Sequence, residues 1–189
     1  MKKNKISKNW LNKQRRDVYV KQSKVDGYRA RSVYKLIEID EKFKIFKGGI
    51  TIVDIGAAPG SWSQYASKSS KNGRLISIDL KEMDPIDNTT QIQGDFTNEG
   101  IQDEVKKHIK IKANVVMSDM AVNTTGIKNI DSIQTGELCK EAMNFAKDIL
   151  ADNGFFISKI FMGGTFNEIV AEGKKIFKEI KIFKPKSSR

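Results

Sequence analysis

The chain has one cysteine, Cys139, and one histidine, His108. A lone cysteine cannot close an intramolecular disulfide, and no cysteine-based metal site can be built around it. No partners for a histidine metal centre are in view either, so no metal is expected. No apolar run approaches the ~20 residues needed to span a bilayer. The N-terminus is basic, but no apolar stretch follows it, which excludes a secretory signal. These absences predict a reducing, cytoplasmic setting without a membrane. There is also no internal repeat and no low-complexity linker. What remains is 189 residues, 39% hydrophobic and 30% charged, enough for one globular domain with a sizeable core.

Negative charge is scarce at the two ends. The formal net charge is +11, and it is unevenly spread. Residues 1–35 carry 12 Lys+Arg against 2 acids, and residues 174–189 carry 7 against 1, so the body between them is mildly acidic. A solubilising tail or a general lysine bias would raise charge everywhere. Basic ends on an acidic body point instead to a polyanion such as nucleic acid.

Residues 1–27 have no clean period, and Trp10 and Tyr19 sit among basic residues. They are expected to form a basic, partly helical arm ordered on RNA, leaving 28–189 as the main domain. Ser32 to Phe43 reads as a short amphipathic helix with Ser32 as N-cap. From Ile50 the pattern alternates. Strands are expected at 50–55, 74–80, 90–95, 113–119, 154–161 and 179–183, with helices at about 61–70, 98–109, 131–150 and 165–176. The strands are apolar runs, as in strands buried on both faces of a parallel sheet. The alternation predicts an α/β fold with a doubly wound, mostly parallel, Rossmann-like sheet.

In such sheets ligands sit at the carboxyl ends of the strands. The first strand ends in Asp54-Ile55-Gly56, followed by Ala57-Ala58-Pro59-Gly60. Gly56 and Gly60 with the two alanines let a ligand approach the backbone. Asp79, ending the second strand, can accept both hydroxyls of a ribose. A dinucleotide is disfavoured, because Ala58 stands at the second glycine position and Pro59 removes an N–H that a phosphate needs. Asp54 beside the turn suits a cation. S-adenosylmethionine, with a sulfonium, an ammonium and no phosphate, fits this pattern. The plain alternative is a tight turn with no ligand. Asp95 could accept an adenine amino group with Phe96 packing by the ring; the alternative for Asp95 is a turn or helix cap.

Asp119 ends the fourth strand and Lys159 lies inside the apolar fifth. A lysine there is costly unless paired or deprotonated. Strand ends that neighbour each other would bring Asp119 and Lys159 together, either as chemistry or as a structural ion pair, and Lys35 on the preceding helix could reach the same edge. His108 and Glu137 read as solvated, Asp131 as a helix cap, Cys139 as packed and inert, and Phe145, Phe155, Phe156 and Phe161 as core. Trp62 would pack beside the cofactor or pin the helix after the turn.

The stretches RARSVYKL (29–36), VDIGAAPGSWSQY (53–65), IDLKEMDPI (78–86), IQGDF (92–96), VVMSDMAVN (115–123), FISKIF (156–161) and KPKSSR (184–189) resemble the FtsJ/RrmJ family of ribosomal RNA 2′-O-ribose methyltransferases. The resemblance runs from about residue 26 to 189, in family order. It implies S-adenosylmethionine as methyl donor and large-subunit ribosomal RNA, usually at a uridine, as acceptor within the ribosomal particle. Gly60 and Trp62 would follow the cofactor turn, Asp79 hold the ribose, Asp95 the adenine, and Asp119 border the methyl group. The family's catalytic set is Lys-Asp-Lys-Glu, and Lys35, Asp119 and Lys159 match its first three members. In the family a glutamate follows KPxxSR by a few residues and opens the final strand; these residues stop at Arg189, so the fourth member has no match and the last strand is expected to be missing from them. Val122 replaces a usual proline and Ser61 a frequent glycine; neither change removes a functional group.

The expected chemistry is alignment of a ribose 2′-hydroxyl with an activated methyl, Lys159 as general base, Asp119 orienting it, and Lys35 positioning the ribose or its phosphate. A monomer is expected. The competing readings are an inactive RNA-binding or ribosome-assembly protein on the same fold, and an NAD-dependent oxidoreductase.

Overall fold

A computed structural model describes residues 16–120 and 127–188. Most of the basic arm, including Trp10, as well as Val122 and Arg189, lies outside the described residues. Asp17 caps α1 (Val18–Val25) by accepting from the amides of Tyr19 and Val20. Then follow α2 (Val33–Phe43), β1 (Thr51–Ile55), α3 (Ser61–Ser69), β2 (Arg74–Asp79), β3 (Thr89–Gln93), α4 (Glu99–His108), β4 (Ala113–Ser118), α5 (Lys128–Ile149), β5 (Leu150–Ser158) and α6 (Phe166–Ile176).

The strands form one parallel sheet in the order β3-β2-β1-β4-β5. The chain runs outward from β1 to β3, then crosses back to β4 on the other side of β1. The switch point therefore lies between β1 and β4, and their carboxyl ends, Ile55 and Ser118, pair in register. Each face of the sheet buries its own core. Val53, Ile55, Ile76, Ile78 and Val116 pack with Phe96, Phe145 and Ala146 on one side. Ile52, Leu75, Val115 and Met117 pack with Leu36, Trp62 and Ala66 on the other. Alternate residues of the central strands thus face opposite layers, both largely apolar.

The structure departs from expectation in several places. Ser32 stands at the N-cap position of α2 but makes no side-chain cap bond. Its hydroxyl goes to the Ser61 hydroxyl at 2.8 Å. Asp131 lies inside the first turn of α5, which starts at Lys128, three residues earlier than expected. Strand β5 (Leu150–Ser158) begins directly after α5, four residues before the strand expected at 154–161, so Asp152, Asn153 and Gly154 lie within it and Lys159 follows its last residue. Those residues are absorbed as an irregularity in the β4–β5 ladder between Ala113 and Val115.

Residues 179–183 pair with no strand among the described residues. A strand needs a ladder partner, and β5 is paired only with β4 here. The apolar side chains of that segment are used for packing instead. Ile180 sits against Gly173 of α6, and Phe183 meets Phe43 of α2 edge-on at 5.8 Å between ring centres. The edge position of β5 also corrects the core assignment. Phe145 is buried, but Phe155 is 40% exposed and Phe156 and Phe161 are half-buried, with Phe156 stacked on Phe177.

Candidate active site

The turn after β1 is held by backbone bonds within it and to β2, by the Asp79 carboxylate and by the Arg29 guanidinium. The amides of Gly56 and Ala57 both donate to the Ile78 carbonyl of β2, at 2.8 and 3.0 Å. The Ala58 amide donates to Asp79 Oδ2 at 2.9 Å, and Asp79 Oδ1 accepts from the Lys81 amide at 2.9 Å. Gly60 closes the turn onto the Ala57 carbonyl at 2.6 Å and starts α3 with φ of 101°. Both glycines have a reason inside the protein. A Cβ on Gly56 (φ 72°) would lie 2.2 Å from Met120 Cγ, and one on Gly60 would lie 2.8 Å from Arg29 Nη1. The closeness expected for a ligand is thus also demanded by two neighbours that sequence reasoning missed, Met120 and Arg29.

Asp54, at the end of β1, is fully buried beside this turn. Its Oδ2 accepts from Ser63 Oγ at 2.6 Å, and that hydroxyl also bonds Ser77 Oγ at 2.7 Å. Burial pushes the Asp54 carboxyl up to about 7, with the charges of Asp119 and Asp79 adding to the rise and the Ser63 bond opposing it. The recess between β1 and β4 is lined by Asp54, Gly56, Ala57, Ala58, Trp62 and Asp119, with Ser32 and Ser61 at its wall. Trp62 is 4% exposed and donates its Nε1–H to the Ser32 carbonyl at 2.9 Å. It both lines the recess and pins α3 to α2.

At the other side of the recess three charged side chains meet. Lys35 Nζ donates to Asp119 Oδ1 and Oδ2 at 2.7 and 2.8 Å. Lys159 Nζ donates to the Asp119 carbonyl at 2.6 Å and stands 3.1 Å from Oδ1. Strand pairing causes the meeting: Ser118 and Ser158 are partners in the β4–β5 ladder, so the next residues leave the sheet side by side. Lys35 reaches them from α2 across the top of Trp62, 5.9 Å from its ring centre. All three side chains are about one-fifth exposed. Burial holds the Lys159 ammonium below its ordinary range; Asp119 opposes that shift and Lys35 adds to it.

Asp95 is exposed, and its Oδ1 accepts from the amide and hydroxyl of Thr97 at 3.0 and 2.8 Å, which lowers its pKa. That is the turn role weighed as the alternative; Oδ2 is left for another donor. Phe96 is 5% exposed and packs edge-on to Phe145 at 5.1 Å, so its ring belongs to the core. His108 ends α4, and its carbonyl accepts from Arg74. Cys139 is buried, and burial raises its thiol pKa. Glu137 is largely exposed and pairs with Lys140 at 3.3 Å.

The KPKSSR stretch also has a place. Glu38 of α2 accepts from the amides of Lys186 and Ser187 at 2.6 and 2.9 Å. Arg31 donates to the Ser187 carbonyl and pairs with Asp17 at 3.1 Å. The last described residues are therefore clipped onto the helix that carries Lys35. Periodicity marks Glu38 only as a polar helix position, and nothing local in the sequence signals its partner about 150 residues away. No group of three or more His, Cys, Asp and Glu among the described residues could hold a metal, and no described helix is long and apolar enough to cross a membrane.

Comparison with known proteins adds to this geometry. A family model described as FtsJ-like methyltransferase matches residues 28–189. The chain is 69% identical over 189 residues to ribosomal RNA large subunit methyltransferase E of Pelagibacter ubique (strain HTCC1062), covering 100% of this chain and 93% of that protein. It is 48% identical to the protein of the same name from Rickettsia akari (strain Hartford), over 97% of this chain and 83% of the other. A solved structure from Plasmodium falciparum, assigned as a ribosomal RNA methyltransferase, superposes with a TM-score of 0.77 at 34% identity, over 85% of this chain and 93% of that one.

Proposed function

The chain belongs to the FtsJ-like methyltransferase family, and from that premise we propose that it moves the methyl group of S-adenosylmethionine to a ribose 2′-hydroxyl of large-subunit ribosomal RNA, at a uridine. The observation that carries this reading is the convergence of Lys35, Asp119 and Lys159 at the carboxyl ends of β4 and β5, beside the small-residue turn after β1.

The residues present fit the cofactor. The turn has no phosphate-binding arrangement, because its amides are spent on Ile78 and Asp79. Each Asp79 oxygen uses one lone pair on an amide and keeps one, so the carboxylate can still accept two ribose hydroxyls. Asp95 Oδ2 can accept an adenine amino group. Asp119 offers negative charge to a cation, Gly56 and Gly60 keep the turn low, and Asp54 and Trp62 wall the recess. Phe96 supports this side from the core. S-adenosylmethionine supplies, when bound, a methyl group already activated on a sulfonium.

The protein must then align a weak nucleophile and take one proton. Burial and the nearby Lys35 favour a neutral Lys159, whose nitrogen can accept the 2′-hydroxyl proton. Asp119 fixes that nitrogen through its carbonyl and carboxylate. Lys35 spends two donors on Asp119 and keeps a third for the ribose or its phosphate. The lysines of the N-terminal arm and of residues 174–186 would hold the RNA backbone.

The test is methyl transfer from labelled S-adenosylmethionine to large ribosomal subunits lacking the modification, followed by alkaline digestion. Label in an alkali-resistant dinucleotide is expected, because a 2′-O-methyl group blocks cleavage at that linkage. Label in mononucleotides would mean base methylation. Cofactor binding without transfer would favour an RNA-binding assembly protein.

A further inference from the structure

The stretch ahead of α2 contains a cation that the chemistry above does not use. Arg29 Nη1 donates to the Pro59 carbonyl at 3.2 Å and to the Asp84 carbonyl at 2.9 Å, and Nη2 donates to the Pro85 carbonyl at 2.9 Å. Its own amide is held by Gln64 Oε1 of α3 at 3.0 Å, and Gln64 Nε2 reaches back to the Gly27 carbonyl at 3.3 Å. The guanidinium is therefore delivered from a fixed backbone point. It joins two loops with no ladder of their own, the turn 56–60 after β1 and the loop 80–88 after β2.

Those loops flank Asp79. The Ala58 amide holds Asp79 from the β1 side, while the Lys81 amide holds it from the β2 side. Asp79 braces the inner side of the turn and Arg29 the outer. Three carbonyl dipoles aimed at one point repel one another unless a cation sits between them, and a planar fork can serve all three where a point charge cannot. Gly60 leaves room for the fork, since a Cβ there would meet Arg29 Nη1 at 2.8 Å and Ile86 Cδ1 at 2.9 Å.

We propose that Arg29 is a positioning residue for the cofactor: it clamps the turn after β1 to the loop after β2 and so fixes the span across which Asp79 meets the ribose. The inference rests on reading this recess as the S-adenosylmethionine site. Arg29 touches no reacting atom. It acts on cofactor affinity, and the lysine-aspartate-lysine cluster stays in place without it, because Lys35 is carried by α2 and held by Asp119.

The experiment measures S-adenosylmethionine affinity by calorimetry, together with kcat at saturating cofactor and the melting temperature, for the wild type, Arg29→Ala and Arg29→Lys. Loss of hydrogen bonds to a charged donor should weaken cofactor binding about tenfold or more in Arg29→Ala. The kcat at saturation should stay within about twofold of wild type, because the reaction centre is untouched. Arg29→Lys should restore only part of the affinity, since one ammonium cannot span the three carbonyls. Wild-type affinity in Arg29→Ala, whatever its melting temperature, would overturn the proposal and leave Arg29 a structural pin. So would a loss confined to kcat. If Arg29→Ala does not fold, full wild-type affinity in Arg29→Lys would overturn it, and weakened affinity in that variant would support it. A wild-type protein that binds no S-adenosylmethionine would overturn the reading of the recess itself, an outcome distinct from the others.

Discussion

Lys159, largely covered, and Asp54, fully buried, are shifted in opposite senses, each toward its neutral form, by the same cause. Burial disfavours charge, so the lysine falls and the carboxyl rises. In the proposed reaction this suits Lys159 to accept a proton. Lys159→Ala is expected to lower methyl transfer by roughly a hundred- to ten-thousand-fold, the usual worth of a positioned base, with cofactor binding retained. Calorimetry beside the transfer assay checks this; lost cofactor binding would make the lysine structural. The wild-type rate should rise with pH and level off below the ordinary lysine value of 10.5. For Asp54 the consequence is thermodynamic. Its carboxyl titrates near 7 when folded against an ordinary 3.8, so the folded state holds a proton that the unfolded state has released across that window. The neutral carboxyl's stabilisation is complete below about pH 4 and is lost as pH rises through about 7, on the order of 4 kcal/mol in all. The stability difference between wild type and Asp54→Asn should therefore fall between pH 4 and 7 and then flatten. A pH-independent difference in urea unfolding would exclude this.

Among the elements, the connections carry the site and the strands only aim it. The turn 56–60 presses Gly56 against Met120, the residue after Asp119, which ties the recess to the end of β4. Gly56→Ala adds a methyl where 2.2 Å is available and φ is 72°, and should cost roughly 1–3 kcal/mol. Met120→Ala alone should cost less, and the double variant should recover part of the Gly56→Ala loss. Additive losses in a denaturation double-mutant cycle would mean that the two residues do not press on each other. Helix α2 is the hub of these connections. It is held to α3 by Ser32 and Trp62, to Asp119 by Lys35, and to residues 186–187 by Glu38. Burial would raise the Glu38 pKa, but the hydrogen bonds from Ser187 and Lys186 outweigh it and hold the carboxyl below its ordinary range.

Over the whole molecule, charge and chemistry are separated in sequence and joined in space. The arm's described part docks through Asp17 and Tyr19 on Arg31, next to the Lys35 helix. The basic residues 184–186 reach the same helix through Glu38. The described parts of both basic segments thus meet at α2. Deleting residues 1–24 should leave the sheet folded while reducing RNA affinity and the steepness of its salt dependence, because fewer phosphate contacts release fewer counterions. Binding measured across a salt series checks this; an unchanged affinity and slope would remove the arm from the interface.

The sequence by itself determined the order of strands and helices from β1 to α6, because the central strands, buried on both faces, are apolar runs. It also marked Asp54, Asp79, Asp119 and Lys159, since an acid at a strand end or a lysine inside an apolar run stands out against that pattern. Tertiary structure alone decided what those residues touch. Strand order put Asp119 beside Lys159, and long-range packing brought Lys35, Arg29, Met120 and Glu38 to their partners. It also turned Ser32 from its own helix end to Ser61, and left residues 179–183 without a ladder despite their strand-like alternation. Periodicity reports only which side of an element is buried. The partner across the interface is set by the summed packing of the whole chain, which no local pattern encodes.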